Sequence, residues 1–287
     1  MNSAVETVLN FACGDVSLIG VLALPPSEVP MAATGVIIVV GGPQYRAGSH
    51  RQFVLLARNL AAAGHPVLRF DYRGMGDSPG EAQDFLGASA DIGAALDALQ
   101  VTQPSVKRWV LWGLCDGASA ALLYLHDRAD TRVSGLCLLN PWARSTSSLA
   151  KTHLKHHYSQ RLREKEFWLK LLRGGIAKKA LVDLLGNLSA VWRAPQKQVG
   201  SFQDRMAEAW LRFPGKILLI LSGSDYTAKE FDDHANSSPA WGGAFTRAGV
   251  TRIDIDGADH TFSDREHAAA AEAHTRLFLA QSLSAAS

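Results

Sequence analysis

The chain has 287 residues, 47% of them hydrophobic and 20% charged, with a formal net charge of +2. A chain of this size and hydrophobicity can bury a large core, which excludes disordered and fibrous classes. Near-neutrality gives no general electrostatic case for nucleic acid, whose phosphates call for a basic surface that releases counterions. Cys13, Cys115 and Cys137 are too few and too widely spaced for a disulfide framework or a Cys-based zinc site. The N-terminal segment carries Glu6 and no Lys or Arg before its apolar stretch, and no window reaches the ~18 apolar residues of a membrane span. A cytoplasmic location in a reducing compartment is expected.

In chain order, residues 11–13, a turn at Gly14 and Asp15, and residues 16–24 read as an antiparallel hairpin on a sheet edge. From residue 35 short apolar runs alternate with longer amphipathic ones: strands at 35–40, 66–70, 109–112 and 133–139, with helices at 50–63, 84–99 and 118–125 between them. The pattern resumes with strands at 217–221 and 250–255 and a helix over 264–283. Uniformly apolar strands separated by helices predict a mostly parallel sheet covered by helices on both faces, an α/β fold. Between residues 140 and 214 the strand signal stops and helical spacing takes over, as in Leu154, Tyr158 and Leu162. The expected organisation is a core of residues 1–140 and 214–287 with a helical cap inserted at 141–213. Residues 144–212 hold 14 Lys and Arg against 5 Asp and Glu, a net of +9 that leaves −7 for the rest of the chain.

The sharpest local feature is Gly113-Leu-Cys115-Asp-Gly117, in which an apolar strand runs into a turn and then a small-residue helix. A nucleophile held on a strained strand-to-helix turn needs glycines on either side, because side chains there would collide with the neighbouring strand and helix. Cys115 is therefore the candidate nucleophile, and Cys13 and Cys137 read as packing residues. A thiol needs a base and an orienting acid, and in a fold of this kind these follow in the order acid then His, each just after a strand. Asp225, in the turn Ser222-Gly-Ser-Asp225, and His260, in Asp259-His260, stand in those places. Asp232, Asp233, Asp254 and Asp256 compete for the acid role but lie on a predicted helix or within or beside a strand. Among the other histidines, His153, His156 and His157 lie in the cap.

Together with the turn from Phe70 to Ser78, these segments resemble the α/β-hydrolase superfamily over essentially the whole chain. Residues 39–53, from Val39 through Gly41-Gly42-Pro43-Gln44-Tyr45-Arg46 to Phe53, resemble the bacterial exosortase A system-associated hydrolase 1 family. The elbow cysteine is also similar to that of dienelactone hydrolases and polyester synthases. The resemblance implies an α/β-hydrolase fold, a presumed hydrolase and an association with exopolysaccharide production and protein sorting.

In many hydrolases the loop after this first parallel strand supplies one oxyanion N–H and the residue after the nucleophile supplies the other. Simple alignment puts Pro43 at the loop position, and proline has no N–H. The expected donors are therefore the backbones of Gln44 and Asp116. Asp116 opposes thiolate formation while the helix N-terminus favours it, and Arg46, Arg51 or Arg73 is the expected cation beside that carboxylate. The residue pattern points to attack of Cys115 on an ester or thioester, followed by hydrolysis or by transfer to an acceptor; a non-catalytic scaffold is the reading from another class. The expected substrate is a small-molecule or carrier-linked acyl compound, anionic because of the basic cap. No His, Asp and Glu cluster has ligand spacing, so neither a metal nor an organic cofactor is implied.

Overall fold

The computed structural model describes residues 4–42, 44–143 and 200–283. Segments apolar but for Thr34 and Arg69, TGVIIV and VLRF, form strands buried on both sides: every residue of β3 (Thr34–Val39) and β4 (Val67–Phe70) is buried, and all but the first of β5 (Arg108–Leu114). These strands join β1 (Val5–Cys13), β2 (Val16–Leu24), β6 (Val133–Leu139), β7 (Lys216–Ser222) and β8 (Val250–Ile255) in one sheet of order β1-β2-β4-β3-β5-β6-β7-β8. β1 pairs antiparallel with β2 and β2 antiparallel with β4, and all the remaining pairs are parallel. The expected edge hairpin is present, and β1 starts at Val5 instead of Phe11. Its outer half carries the exposed Val5 and Val8, a pattern that conceals a strand from a search for apolar runs.

Six helices complete the described core: α1 (Gln52–Ala62), α2 (Ser89–Thr102), α3 (Asp116–Arg128), α4 (Phe202–Arg212), α5 (Tyr226–Ser237) and α6 (Arg265–Leu283). The pleat of β5 shows how both sheet faces are covered. Trp112 packs edge-on against Phe53 of α1, with ring centroids 5.8 Å apart, and its Nε1 donates to Thr275 of α6. The neighbouring Gly113 faces α3, and a Cβ there would strike the backbone of Gly117 and Ala118. α2 begins at Ser89, later than the expected residue 84, because the Asp84 side chain accepts from the Leu86 N–H and caps a separate short turn over Phe85–Gly87.

The chain leaves β3 for β4 on one side, then crosses back over β3 to β5. Such a reversal splays the loops that leave the two adjacent strands, so a crevice opens at their carboxyl ends. The loops after β3, β5, β6, β7 and β8 all emerge on that edge.

α4, at the end of the expected insertion, packs against the core: Met206, Ala207 and Trp210 are buried, and Trp210 packs against Phe231, Trp241 and Phe245 while its Nε1 donates to the Ala244 carbonyl. The rest of the insertion, residues 144–199 with His153, His156 and His157, lies outside the described residues. The whole net charge of +9 belongs to that segment, because Arg205 and Arg212 of α4 are matched by Asp204 and Glu208. Among the described residues no helix is long and apolar enough to cross a membrane.

Candidate active site

β5 ends at Leu114, α3 begins at Asp116, and Cys115 between them has φ 59° and ψ −126°. A side chain in such a backbone conformation costs about 1–3 kcal/mol and persists only where the surroundings impose it. Here they do. The Cys115 N–H donates to the Leu139 carbonyl of β6, and its own carbonyl accepts from Ala118 and Trp142. The two glycines let the backbones close in: a Cβ at Gly117 would meet the Val39 carbonyl of β3, and one at Gly113 would meet α3. Cys115 is half-buried, whereas Cys13 and Cys137 are buried, and burial pushes both of their thiols up.

Asp225 lies just beyond β7, where its side chain caps α5 by accepting from Thr227 N–H and Ala228 N–H at 3.1 Å each. Its Oδ2 also lies 2.8 Å from His260 Nδ1. The His260 imidazole is held up at about 10, first by this contact with Asp225 and then by the Cys115 side chain. The three residues expected from sequence thus come together, with the carboxylate on Nδ1 and the sulfur near the ring. Among the competing acids, Asp232 and Asp254 are both engaged by Arg252.

Sequence reasoning missed the residue that joins the two loops. Asn140 follows β6, is fully buried and has φ 44°, a left-handed conformation that asparagine tolerates better than most side chains. Its amide donates to Ser222 Oγ at 2.8 Å and to the His260 carbonyl at 3.1 Å, while its Oδ1 accepts from the Ser222 N–H at 2.8 Å. Ser222 Oγ in turn donates to the Asp259 carbonyl at 2.9 Å. One amide therefore fixes the loop that carries Asp225 against the loop that carries His260. The available signal was a lone amide ending an otherwise apolar strand.

On the oxyanion side, the Asp116 side chain is tied to the loop after β3. Gln44 presents its side-chain oxygen to the Ser49 N–H at 3.3 Å, and the loop N–H that reaches Asp116 is that of Gly42. The Asp116 carboxylate reaches the loop after β3, where its Oδ1 accepts from the Gly42 N–H. Burial pushes its pKa up, and the backbone donors and then His260 oppose that rise.

The expected cation beside Asp116 is likewise replaced. Arg46 forms ion pairs with Asp71 and Asp77, Arg73 pairs with Asp91, and Arg51 is exposed ahead of α1. Asp71 draws Arg46 away because it is buried and also accepts from the Arg46 and Asp77 N–H groups, which ties the loop after β3 to the turn after β4.

Two outcomes follow from this geometry. Asn140→Ala leaves the Ser222 N–H and the His260 carbonyl unpaired, at roughly 1–3 kcal/mol for each buried group. Urea denaturation should show that loss, and the downfield proton resonance of the His260 Nδ1–H should weaken or vanish. Because the folded-state pKa of His260 lies above the ordinary 6.5, its contribution to stability is complete below about pH 6.5 and is lost as pH rises through about 10. Stability measured across that window should fall in the wild type and fall less in Asp225→Asn.

A family model for alpha/beta hydrolases matches residues 36–273. The esterase Pf2001 of Pyrococcus furiosus superposes with a TM-score of 0.63 at 16% identity, covering 97% of this chain and 93% of that one. A dienelactone hydrolase from Anabaena variabilis gives 0.60 at 15% identity, covering 97% of this chain and 98% of that one. At such identities the likeness is one of fold. The uncharacterized protein RP471 of Rickettsia prowazekii is 35% identical over 89 residues, which are 31% of this chain and 37% of that protein, so the match spans little more than a third of the relative's length. With most of its length matched and a strained elbow, a carboxylate and a histidine following β5, β7 and β8 in that order, the chain belongs to the alpha/beta hydrolase family.

Proposed function

We propose that the protein is a cysteine-dependent hydrolase of esters or thioesters that works through an acyl-enzyme formed on Cys115. The observation that carries this reading is the meeting of Cys115, His260 and Asp225, in which the imidazole lies 2.8 Å from the carboxylate and has its pKa raised by the carboxylate and then by the sulfur. With a pKa of about 10, His260 holds its proton at neutral pH and is ready to give it to the leaving group as Cys115 Sγ attacks the carbonyl carbon. The tetrahedral intermediate collapses with loss of the protonated alcohol or thiol, leaving an acyl group on sulfur. Acylation also removes the sulfur's share in raising the His260 pKa. The now neutral imidazole can therefore take a proton from the water that attacks the thioester, and Asp225 keeps Nδ1–H in place through both halves.

Gly42 N–H and Asp116 N–H are the donors assigned to the oxyanion, with the Asp116 carboxylate displaced from them by the incoming carbonyl oxygen. The same acyl-enzyme would serve transfer to an alcohol or amine, so acyltransfer differs only in what replaces water. The likeness of residues 39–53 to the exosortase A system-associated hydrolase 1 family belongs to this reading and supports a substrate from an exopolysaccharide-linked or exosortase-linked setting. On the leaving-group side, the net charge of residues 144–199 favours an anionic carrier such as coenzyme A or an acyl carrier protein.

The decisive measurement is intact mass. Wild-type protein given acyl thioesters should gain one acyl group, and Cys115→Ala should gain none and lose turnover while remaining folded. Equal turnover by that variant would end the cysteine mechanism. Iodoacetamide should label Cys115 well before the buried Cys13 and Cys137. For steering, kcat/KM for an acyl-coenzyme A should fall as salt is raised, while that for the same acyl group on neutral N-acetylcysteamine should hardly change. Reversing the charges at Lys178 and Lys179 should lower only the former.

A further inference from the structure

The turn between β8 and α6 that carries His260 holds a second carboxylate, Asp259, which the acyl-enzyme chemistry does not use. Asp259 is exposed, and an exposed acid is ordinarily a solvated surface group. Its hydrogen bonds give it another part. Oδ1 accepts from the N–H groups of Thr261 at 3.1 Å and Ser263 at 2.9 Å, and Oδ2 accepts from the Ser263 hydroxyl. The bonds from Ser263, then that from Thr261 and the nearby His50, hold the Asp259 carboxyl below the usual carboxylate range. It is therefore ionised at neutral pH, the form in which a carboxylate accepts most strongly.

The turn needs such a clasp because of Phe262. Its φ is 51°, in the left-handed region that bulky side chains avoid, and its ring is buried. The Phe262 N–H donates to the Asp259 carbonyl at 3.2 Å, closing a four-residue turn in which His260 is the second member. A strained residue keeps its conformation only where its surroundings impose it. Thr261 and Ser263 flank Phe262, and one carboxylate holds the N–H of both.

From the sheet side, Asn140 and Ser222 hold the carbonyls of His260 and Asp259. Those bonds fix the way into the turn and leave the residues after His260 to the Asp259 side chain and the Phe262 ring. Without the carboxylate, Phe262 relaxes towards an ordinary negative φ, and His260, which shares the turn, moves with it.

We propose that Asp259 is a positioning residue for His260: its carboxylate clasps the backbone beyond the histidine and so keeps Nδ1 against Asp225. The consequence for catalysis rests on the reading of His260 as the proton carrier. The clasp works through hydrogen-bond geometry, so an amide oxygen in the place of Oδ1 serves nearly as well as a carboxylate.

Variants at residue 259 test this by kinetics and by proton NMR. Asp259→Ala should lower kcat for an acyl N-acetylcysteamine roughly tenfold or more while KM changes less than about threefold, the pattern of a misplaced reacting group. The downfield resonance of the His260 Nδ1–H should weaken or vanish in that variant, and the His260 pKa should fall. Asp259→Asn should recover most of the kcat and the resonance. The acid is exposed, so its removal strands no buried charge; should Asp259→Ala nevertheless fail to fold, the same readings on Ser263→Ala, which takes one donor from the clasp, decide in its place. An unchanged Nδ1–H resonance in the variant so tested, or an Asp259→Asn protein as impaired as Asp259→Ala, would overturn the clasp and leave the hydrolase reading intact. Absence of an acyl adduct on wild-type Cys115 would instead remove the hydrolase reading, and the NMR comparison would still decide whether Asp259 holds His260.

Discussion

The arrangement at the catalytic edge depends on one backbone constraint, the left-handed turn at Cys115 between the last residue of β5 and the first of α3. The turn is unfavourable in isolation, yet it is compelled on three sides: β6 accepts its N–H, α3 takes its carbonyl, and β3 presses against Gly117. Gly113 and Gly117 matter for the room that they leave, and a methyl group at either position would push α3 off the sheet. Since β3 and β5 are adjacent at the reversal of strand order, the sulfur is delivered next to the Gly42 loop without any help from a long side chain. The same closeness lets the Asp116 carboxylate reach the Gly42 N–H.

The second constraint is the orientation of the His260 and Asp225 pair. His260 and Asp225 come from loops after different strands, and the short contact between them is useful only if both loops keep their places. Backbone bonds from Gly223 to Ile255 and from Ser224 to Ala258, at 2.9 and 3.0 Å, tie those loops together. Asn140 adds a buried crosslink from a third strand. The high pKa of His260 is therefore a property of the sheet edge as a whole, because rotation of either loop by an ångström would weaken the contact that raises it.

Much of this was legible in the sequence because the signals were local. Apolar runs gave every parallel strand to within a residue or two, and the spacing of Gly113, Cys115 and Gly117 marked the elbow. Asp225 and His260 stood out because each follows a strand in a turn. The failures have a common cause, which is that the deciding partner is distant in sequence. Nothing near Asp116 indicates that its carboxylate would find Gly42, 74 residues away, in place of an arginine. Nothing near Asn140 indicates Ser222 or His260. Likewise nothing near Trp210 indicates that Phe231, Trp241 and Phe245 surround it.

These constraints combine into a division of labour around the sulfur. On one side the imidazole is paired with Asp225 and its pKa is raised to about 10; under the acyl-enzyme reading, acylation would remove the sulfur's share of that rise. On the other side, the Gly42 N–H, which the proposed function assigns to the oxyanion, is taken by the Asp116 carboxylate. An empty oxyanion hole presents unpaired donors and invites water, whereas a filled one is stable until a better acceptor arrives. The neutral carbonyl of a substrate is a weaker acceptor than a carboxylate, but the oxygen of the tetrahedral intermediate carries full negative charge. Under the proposed function, exchange of Asp116 for substrate oxygen would therefore become more favourable as the reaction proceeds from ground state towards transition state, the direction of differential binding that speeds a chemical step.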